Sequence, residues 1–142
     1  VVGIDGKDKM SKSLNNHIEL AITPEETTKR VREMVTDPAR QRKTDPGNPD
    51  VCNVFTMHKI FSPQEEVDMI NTECRRAGIG CVDCKLRFAA NLNKNLEPFR
   101  AKRVEFESKP AEVQDILNDG GKRARAIAKE TMSEVREAMK LP

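Results

Sequence analysis

From Thr23 onward the apolar positions recur every three or four residues, and prolines and glycines cut that rhythm into segments. Thr23, Pro24 and Glu26 have the form of a capping box with proline at the first helical position, and Val31, Met34 and Val35 supply an apolar stripe. This helix is predicted to stop near Asp37, because Pro38 disfavours helical backbone in the residue before it. The stretch TDPARQRKTDPGNPD, beginning at Thr36, is polar, proline-rich and reads as irregular. A second helix is expected from about Val51 to Phe61. Ser62, Pro63 and Glu65 then repeat the capping signature, Val67, Ile70 and Cys74 share one face, and Gly78 marks a stop.

A long amphipathic helix is predicted from about Val82 to Phe106, with Phe88, Leu92, Leu96 and Phe99 as its seam and a kink at Pro98. A short helix from Pro110 to Leu117 should lead into Gly120-Gly121. The last helix, Lys122 to Lys140, would turn Ala124, Ile127, Ala128, Thr131, Val135 and Ala138 inward. The fold class is therefore all-α, a helical bundle over 21–142, preceded by a polar loop at the end of another element over 1–20.

That front loop, GKDKMSKSLNNH from Gly6 to His17, concentrates Lys7, Lys9 and Lys12 with Ser11 and Ser13. The chain as a whole is nearly balanced, with 25 Lys+Arg against 23 Asp+Glu, which excludes a generic polycation but not a local basic patch. Trp and Tyr are absent and Phe numbers five, too few for recognition of nucleic acid mainly by stacking. No apolar run approaches the roughly 18 residues of a membrane span. The start, Val-Val-Gly-Ile without an initiator Met, leads us to expect a chain that begins partway through a longer polypeptide.

A lysine-rich loop can be a solvated linker, a nucleic-acid patch or a phosphate-binding loop. The string KMSKS, Lys9 to Ser13, matches the second signature of class I aminoacyl-tRNA synthetases. With DGKDKMSKSLNNHIEL, MVTDPARQRKTDPGNPDVCNVF, AGIGCVDCK and ARAIAKETMSEVREAM in order along the chain, the sequence resembles the C-terminal part of the bacterial tryptophanyl-tRNA synthetases. The resemblance implies a KMSKS loop followed by a helical anticodon-binding domain. It implies ATP with Mg²⁺, tryptophan and tRNA(Trp) as ligands of the intact enzyme, which would be a cytoplasmic homodimer without membrane attachment. Lys9 and Lys12 would act in catalysis at the ATP phosphates, with Met10, Ser11 and Ser13 shaping the ATP-binding loop. The HIGH-like motif and the Rossmann nucleotide-binding sheet of that family are not found in this sequence, so this piece alone is expected to be inactive. His17 and His58 stand isolated and read as surface or packing residues.

Cys52, Cys74, Cys81 and Cys84 make up all the cysteine of the chain, spaced C-x21-C-x6-C-x2-C. Four thiolates suit a structural Zn²⁺ or a 4Fe–4S cubane by count, and bare buried thiols are the alternative. Some members of the family carry a 4Fe–4S cluster on a closely similar pattern, whose first spacer is about one residue longer. The resemblance thus implies a cluster held by these four residues.

Between Lys85 and Arg103 the cations Lys85, Arg87, Lys94, Arg100, Lys102 and Arg103 face only Glu97, and Arg40, Arg42 and Lys43 form a second group. Such local excess suits a phosphate backbone, or else a solvated face balanced by neighbouring helices. The resemblance favours tRNA contact through Lys85, Arg87, Lys94, Arg100 and Arg103, with Asn91, Asn93 and Asn95 among the readers of exposed bases. A stand-alone helical RNA-binding module with a four-cysteine metal site, and a fragment of a tyrosyl-tRNA synthetase, are the rival readings.

Overall fold

The computed structural model describes residues 1–141. Helix α1 spans Pro24–Glu33, a single 3-10 turn Pro49–Val51, α2 Asn53–Phe61, α3 Gln64–Arg75, α4 Cys81–Glu107 and α5 Pro110–Ala138. No regular strand occurs among the described residues; Val2 and Lys9 form an isolated antiparallel bridge. The all-α class expected from the periodicity is what the chain adopts. It divides into two units, Val1–Arg100 and Ala101–Pro142, the division falling inside α4.

In the first unit, α1 begins as its sequence requires. Thr23 accepts from the Glu26 amide while the Glu26 carboxylate accepts from the Thr23 amide, closing the capping box with Pro24 behind it. Val31 and Met34 are buried, but Val35 is exposed, because the helix ends at Glu33 and Met34 caps it. Val54, Phe55 and Met57 of α2, Val67 and Ile70 of α3, and Phe88, Ala89, Leu92 and Leu96 of α4 complete one core with Ile4 and Ile79. Phe99, expected in the α4 seam, is 60% exposed: a seam needs a partner as well as a period, and the packed core ends at Leu96. Pro98 lies inside α4 without terminating it.

Ser62 does not cap α3. Its hydroxyl is taken by His58 Nδ1 at 2.7 Å and by Asn91 Nδ2 at 2.9 Å, leaving Pro63 at the cap position with no side-chain bond. His58 is fully buried, edge-on to Phe88 at 5.2 Å, and burial pushes its pKa down. It is a packing histidine, as its isolation implies.

The end of α3 differs from expectation in one residue. Gly78 N–H bonds the Glu73 carbonyl at 2.7 Å and Ala77 N–H bonds Cys74 at 3.2 Å, the paired bonds of a Schellman turn. The left-handed position is Ala77, at φ +60°, not the glycine beside it.

In the second unit, Gly120 and Gly121 do not separate two helices; α5 passes straight through them. Each glycine costs a helix only about 1 kcal/mol relative to alanine, and the good helix formers Lys122, Arg123 and Ala124 follow them. None of its residues is buried, so Ala124, Ile127, Ala128, Thr131, Val135 and Ala138 form an exposed stripe within this chain, not a buried one. No helix among the described residues is long and apolar enough to cross a membrane.

The strained Ala77 gives a direct test. Ala77→Gly should stabilise the chain by about 0.5–1 kcal/mol, the relief of left-handed strain exceeding the added freedom of the unfolded chain. Urea unfolding measures it; a lower midpoint in the glycine variant would contradict the turn geometry.

Candidate functional site

The lysine loop is built on a short reversal of the chain. Gly3 N–H bonds Asp8 O at 2.7 Å and Met10 N–H bonds Val1 O at 3.1 Å, with Gly6 at φ +70° near the tip. This reversal is pinned to the helices: Val35 N–H donates to Ile4 O at 3.0 Å and Asn53 Nδ2, in the first turn of α2, to Gly3 O at 2.7 Å. Lys9, Lys12 and Ser13 are exposed, Met10 and Ser11 half-buried, and the Ser11 and Ser13 hydroxyls bond each other at 2.8 Å. Among the described residues, neither Lys9 nor Lys12 pairs with a carboxylate, although ion pairs are frequent on the helices. Two unneutralised ammonium groups on a formed loop can receive a polyanion.

Residues just past the signature hold that loop. Asn16 is 4% exposed. Its Oδ1 accepts from Ser11 N–H at 2.7 Å; its Nδ2 donates to Asp5 Oδ2 at 2.7 Å and Lys9 O at 3.3 Å. Its carbonyl accepts from Ile4 N–H at 2.8 Å. Gly3 is glycine because any Cβ there would collide with the Asn16 amide. Arg30 of α1 grips the flanking residues, donating to the carbonyls of Asn15 and His17 while it pairs with Glu33 at 3.0 Å. Sequence reading missed Asn16, Asp5 and Arg30. The Asn15-Asn16 pair carries no sign of which amide is buried.

The four thiols come from three helices. Cys52 caps α2, Cys74 lies in the last turn of α3, and Cys81 and Cys84 lie in the first turn of α4. They are one neighbourhood. Burial pushes the Cys52, Cys74 and Cys84 thiols up, Cys84 to about 12, and each is raised further by the charge of others in the set. Arg40 from the proline-rich segment lies with Nη1 3.8 Å from Cys74 Sγ, and His58 Nε2 is 3.6 Å from Cys84 Sγ. Gly47 makes this approach possible, since a Cβ there would lie 2.6 Å from Cys74 Sγ. With the side chains as placed, no three His, Cys, Asp or Glu residues among those described converge to hold a metal ion. The donor set itself suits a thiolate-bound centre, with three of its four sulfurs at helix N-termini, where the backbone favours thiolate charge.

The basic face is more self-contained than its charge count. Lys85 Nζ donates to Arg32 O at 2.8 Å, Arg87 approaches Glu66 at 3.7 Å, and Arg103 pairs with Glu107 at 2.7 Å. Arg100 donates to Thr27 Oγ1 at 2.8 Å and Asn93 Oδ1 at 3.0 Å. Lys94 is exposed and, among the described residues, without a carboxylate partner. The amides of Asn91, Asn93 and Asn95 are occupied internally, by Glu66, Pro24 O and Phe61 O respectively. A second basic group lines a cavity of about 420 Å³ with Arg40, Arg42, Lys43 and the start of α4 at Gly80 and Cys81.

The family model for class I tRNA synthetases (W and Y) matches residues 1–97, and the chain belongs to that family. Within it, the similar proteins are of the tryptophan kind. The tryptophan--tRNA ligase of Aquifex aeolicus is 43% identical over 143 residues, taking in 100% of this chain and 36% of that protein. That of Deinococcus radiodurans is 42% identical over 137 residues, 96% of this chain and 42% of that protein. A crystal structure of tryptophanyl-tRNA synthetase from Campylobacter jejuni, complexed with ADP and tryptophan, matches with a TM-score of 0.84 at 30% identity, over 99% of this chain and 43% of that one. The chain spans well under half the length of these relatives.

The thiol environment has a measurable consequence. In metal-free protein at pH 8, a small alkylating reagent should modify Cys84 more slowly than Cys81, because desolvation holds the Cys84 thiol protonated. Peptide mapping over time measures the order, and Cys84 reacting first would contradict its buried setting.

Proposed function

We propose that this chain is the KMSKS loop and anticodon-binding part of a tryptophan--tRNA ligase, with 1–20 closing the catalytic domain and 21–142 forming the helical domain. The observation that carries the reading is the pair of exposed lysines, Lys9 and Lys12, left without carboxylate partners among the described residues on a loop held by the Asn16 carboxamide. In the reaction an oxygen of the tryptophan carboxylate attacks the α-phosphorus of ATP. The bond from that phosphorus to the bridging oxygen breaks, giving tryptophanyl-adenylate and pyrophosphate. Negative charge builds on the departing diphosphate, so cations held there stabilise the transition state more than the ground state. Lys9 and Lys12 supply that charge beside Mg²⁺, while Ser11 and Ser13 hold the turn between them. The tryptophan pocket and the nucleotide-binding sheet belong to residues outside this chain, in a cytoplasmic homodimer.

In the chain joined to the upstream residues its relatives carry, Lys12→Ala should lower tryptophan-dependent pyrophosphate exchange by roughly 10²–10³-fold, with KM for tryptophan little changed. Unchanged exchange would remove the phosphate role. The tRNA role rests on Lys94 and Arg42, which have no carboxylate partner among the described residues, whereas Lys43 pairs with Asp83 at 3.8 Å; Lys85, Arg87 and Arg100, and Arg103 in the second unit, are the further contacts of this reading. Affinity for tRNA(Trp) that falls steeply with added salt supports this part.

The shared neighbourhood of the four thiols favours a second assignment, that Cys52, Cys74, Cys81 and Cys84 hold a 4Fe–4S cluster. Such a centre would supply a covalent tie among α2, α3 and the start of α4, a structural role. Protein purified without air should contain iron and sulfide and lose both in Cys81→Ser; such protein free of iron would exclude the cluster.

A further inference from the structure

Between the lysine loop and the helices stands one buried neutral group. Asn16 is directly bonded to three points of the reversal: the Ser11 amide inside the signature, the Lys9 carbonyl at its start, and Asp5 on the facing limb. Its backbone carbonyl meets Ile4, and Gly3 gives way to make room for its amide. Arg30 holds the residues on either side of it.

The partners of Asp5 give this arrangement its chemical point. Asp5 is the carboxylate on the limb facing the signature, and both of its oxygens are engaged by neutral donors, Lys7 N–H at 3.0 Å on Oδ1 and Asn16 Nδ2 at 2.7 Å on Oδ2. A carboxylate satisfied in this way does not need a lysine ammonium. The loop is thus shaped by an uncharged amide, and its cations stay available.

We propose that Asn16, acting with Asp5, is a positioning residue for the adenylation step: it fixes the loop from Lys9 to Ser13 in its phosphate-facing form while keeping the nearby carboxylate from neutralising the lysines. This rests on the ATP reading above. Asn16 touches no reacting atom; its effect passes through Lys9 and Lys12.

The test uses the chain joined to its upstream residues, with pyrophosphate exchange and thermal unfolding measured on four proteins: wild type, Asn16→Ala, Asn16→Asp and the exchange Asp5→Asn/Asn16→Asp. Asn16→Ala should lower kcat about 10–100-fold, the scale of an ångström-level misplacement, with KM for tryptophan little changed and the thermal midpoint lowered by too little to unfold the protein at the assay temperature. Asn16→Asp should be comparably poor, since it sets two carboxylates against each other. The exchange variant restores the donor–acceptor pair and keeps the acceptor for Ser11 N–H, so it should regain most of the activity. Asn16 variants with wild-type kcat, or an exchange variant no better than Asn16→Asp, would overturn the proposal. A lower midpoint that accounts for the loss would do the same, showing a role in folding alone. Lys12→Ala, run alongside, separates the two failures: if it is fully active the ATP reading falls, and if it is impaired while Asn16→Ala is not, only the positioning role falls.

Discussion

A loop carrying several ammonium groups must be held in shape by something that does not cancel their charge. Here that constraint is met by the carboxamide of Asn16, uncharged, 4% exposed, and bonded at 2.7 Å to both the Ser11 amide and the Asp5 carboxylate. An aspartate in the same place would hold the Ser11 amide equally well but set a second carboxylate against Asp5. A purely apolar side chain would leave a half-buried amide and a carboxylate without partners. The remaining contacts carry this local order into the helical body. Ile4 packs into the core, Val35 N–H and Asn53 Nδ2 bond the same limb, and Arg30 clamps the exit toward α1.

The body that receives the loop follows from simple patterning. The capping box at Thr23, the α3 face of Val67 and Ile70, and the Phe88, Leu92 and Leu96 stripe of α4 were legible because each depends on local spacing alone. What spacing could not reveal was competition for a group or the need for a partner. Ser62 has the letters of an N-cap, yet a buried histidine 2.7 Å away takes its hydroxyl. Phe99 and the α5 stripe have the right period, but no core among the described residues covers them. Ala77 rather than Gly78 takes the left-handed turn, a choice of one residue that composition does not fix.

The candidate sites divide in the same way. KMSKS was readable as a string, and its lysines Lys9 and Lys12 lie exposed. Asn16 was not, since only the fold buries one asparagine of an Asn-Asn pair and engages its carboxamide. The cysteine spacing pointed to a metal centre; among the described residues no three His, Cys, Asp or Glu side chains converge to hold one, although burial and the charge of others in the set raise the Cys52, Cys74 and Cys84 thiols. The basic helix face reads differently in three dimensions. Arg87 and Arg103 meet acids and Lys85 meets a helix-end carbonyl, so charge counted along a sequence overstates charge offered to a partner.

The central claim, that a buried neutral amide holds the cationic loop in shape, is tested most directly by hydrogen exchange at the Ser11 amide, followed by NMR in wild type and Asn16→Ala. The bond to Asn16 Oδ1 should slow exchange of this amide at least about tenfold relative to an unstructured loop, and the substitution should abolish that protection while amides in the α4 core keep theirs. A Ser11 amide that exchanges in the wild type as fast as an open chain would contradict the account.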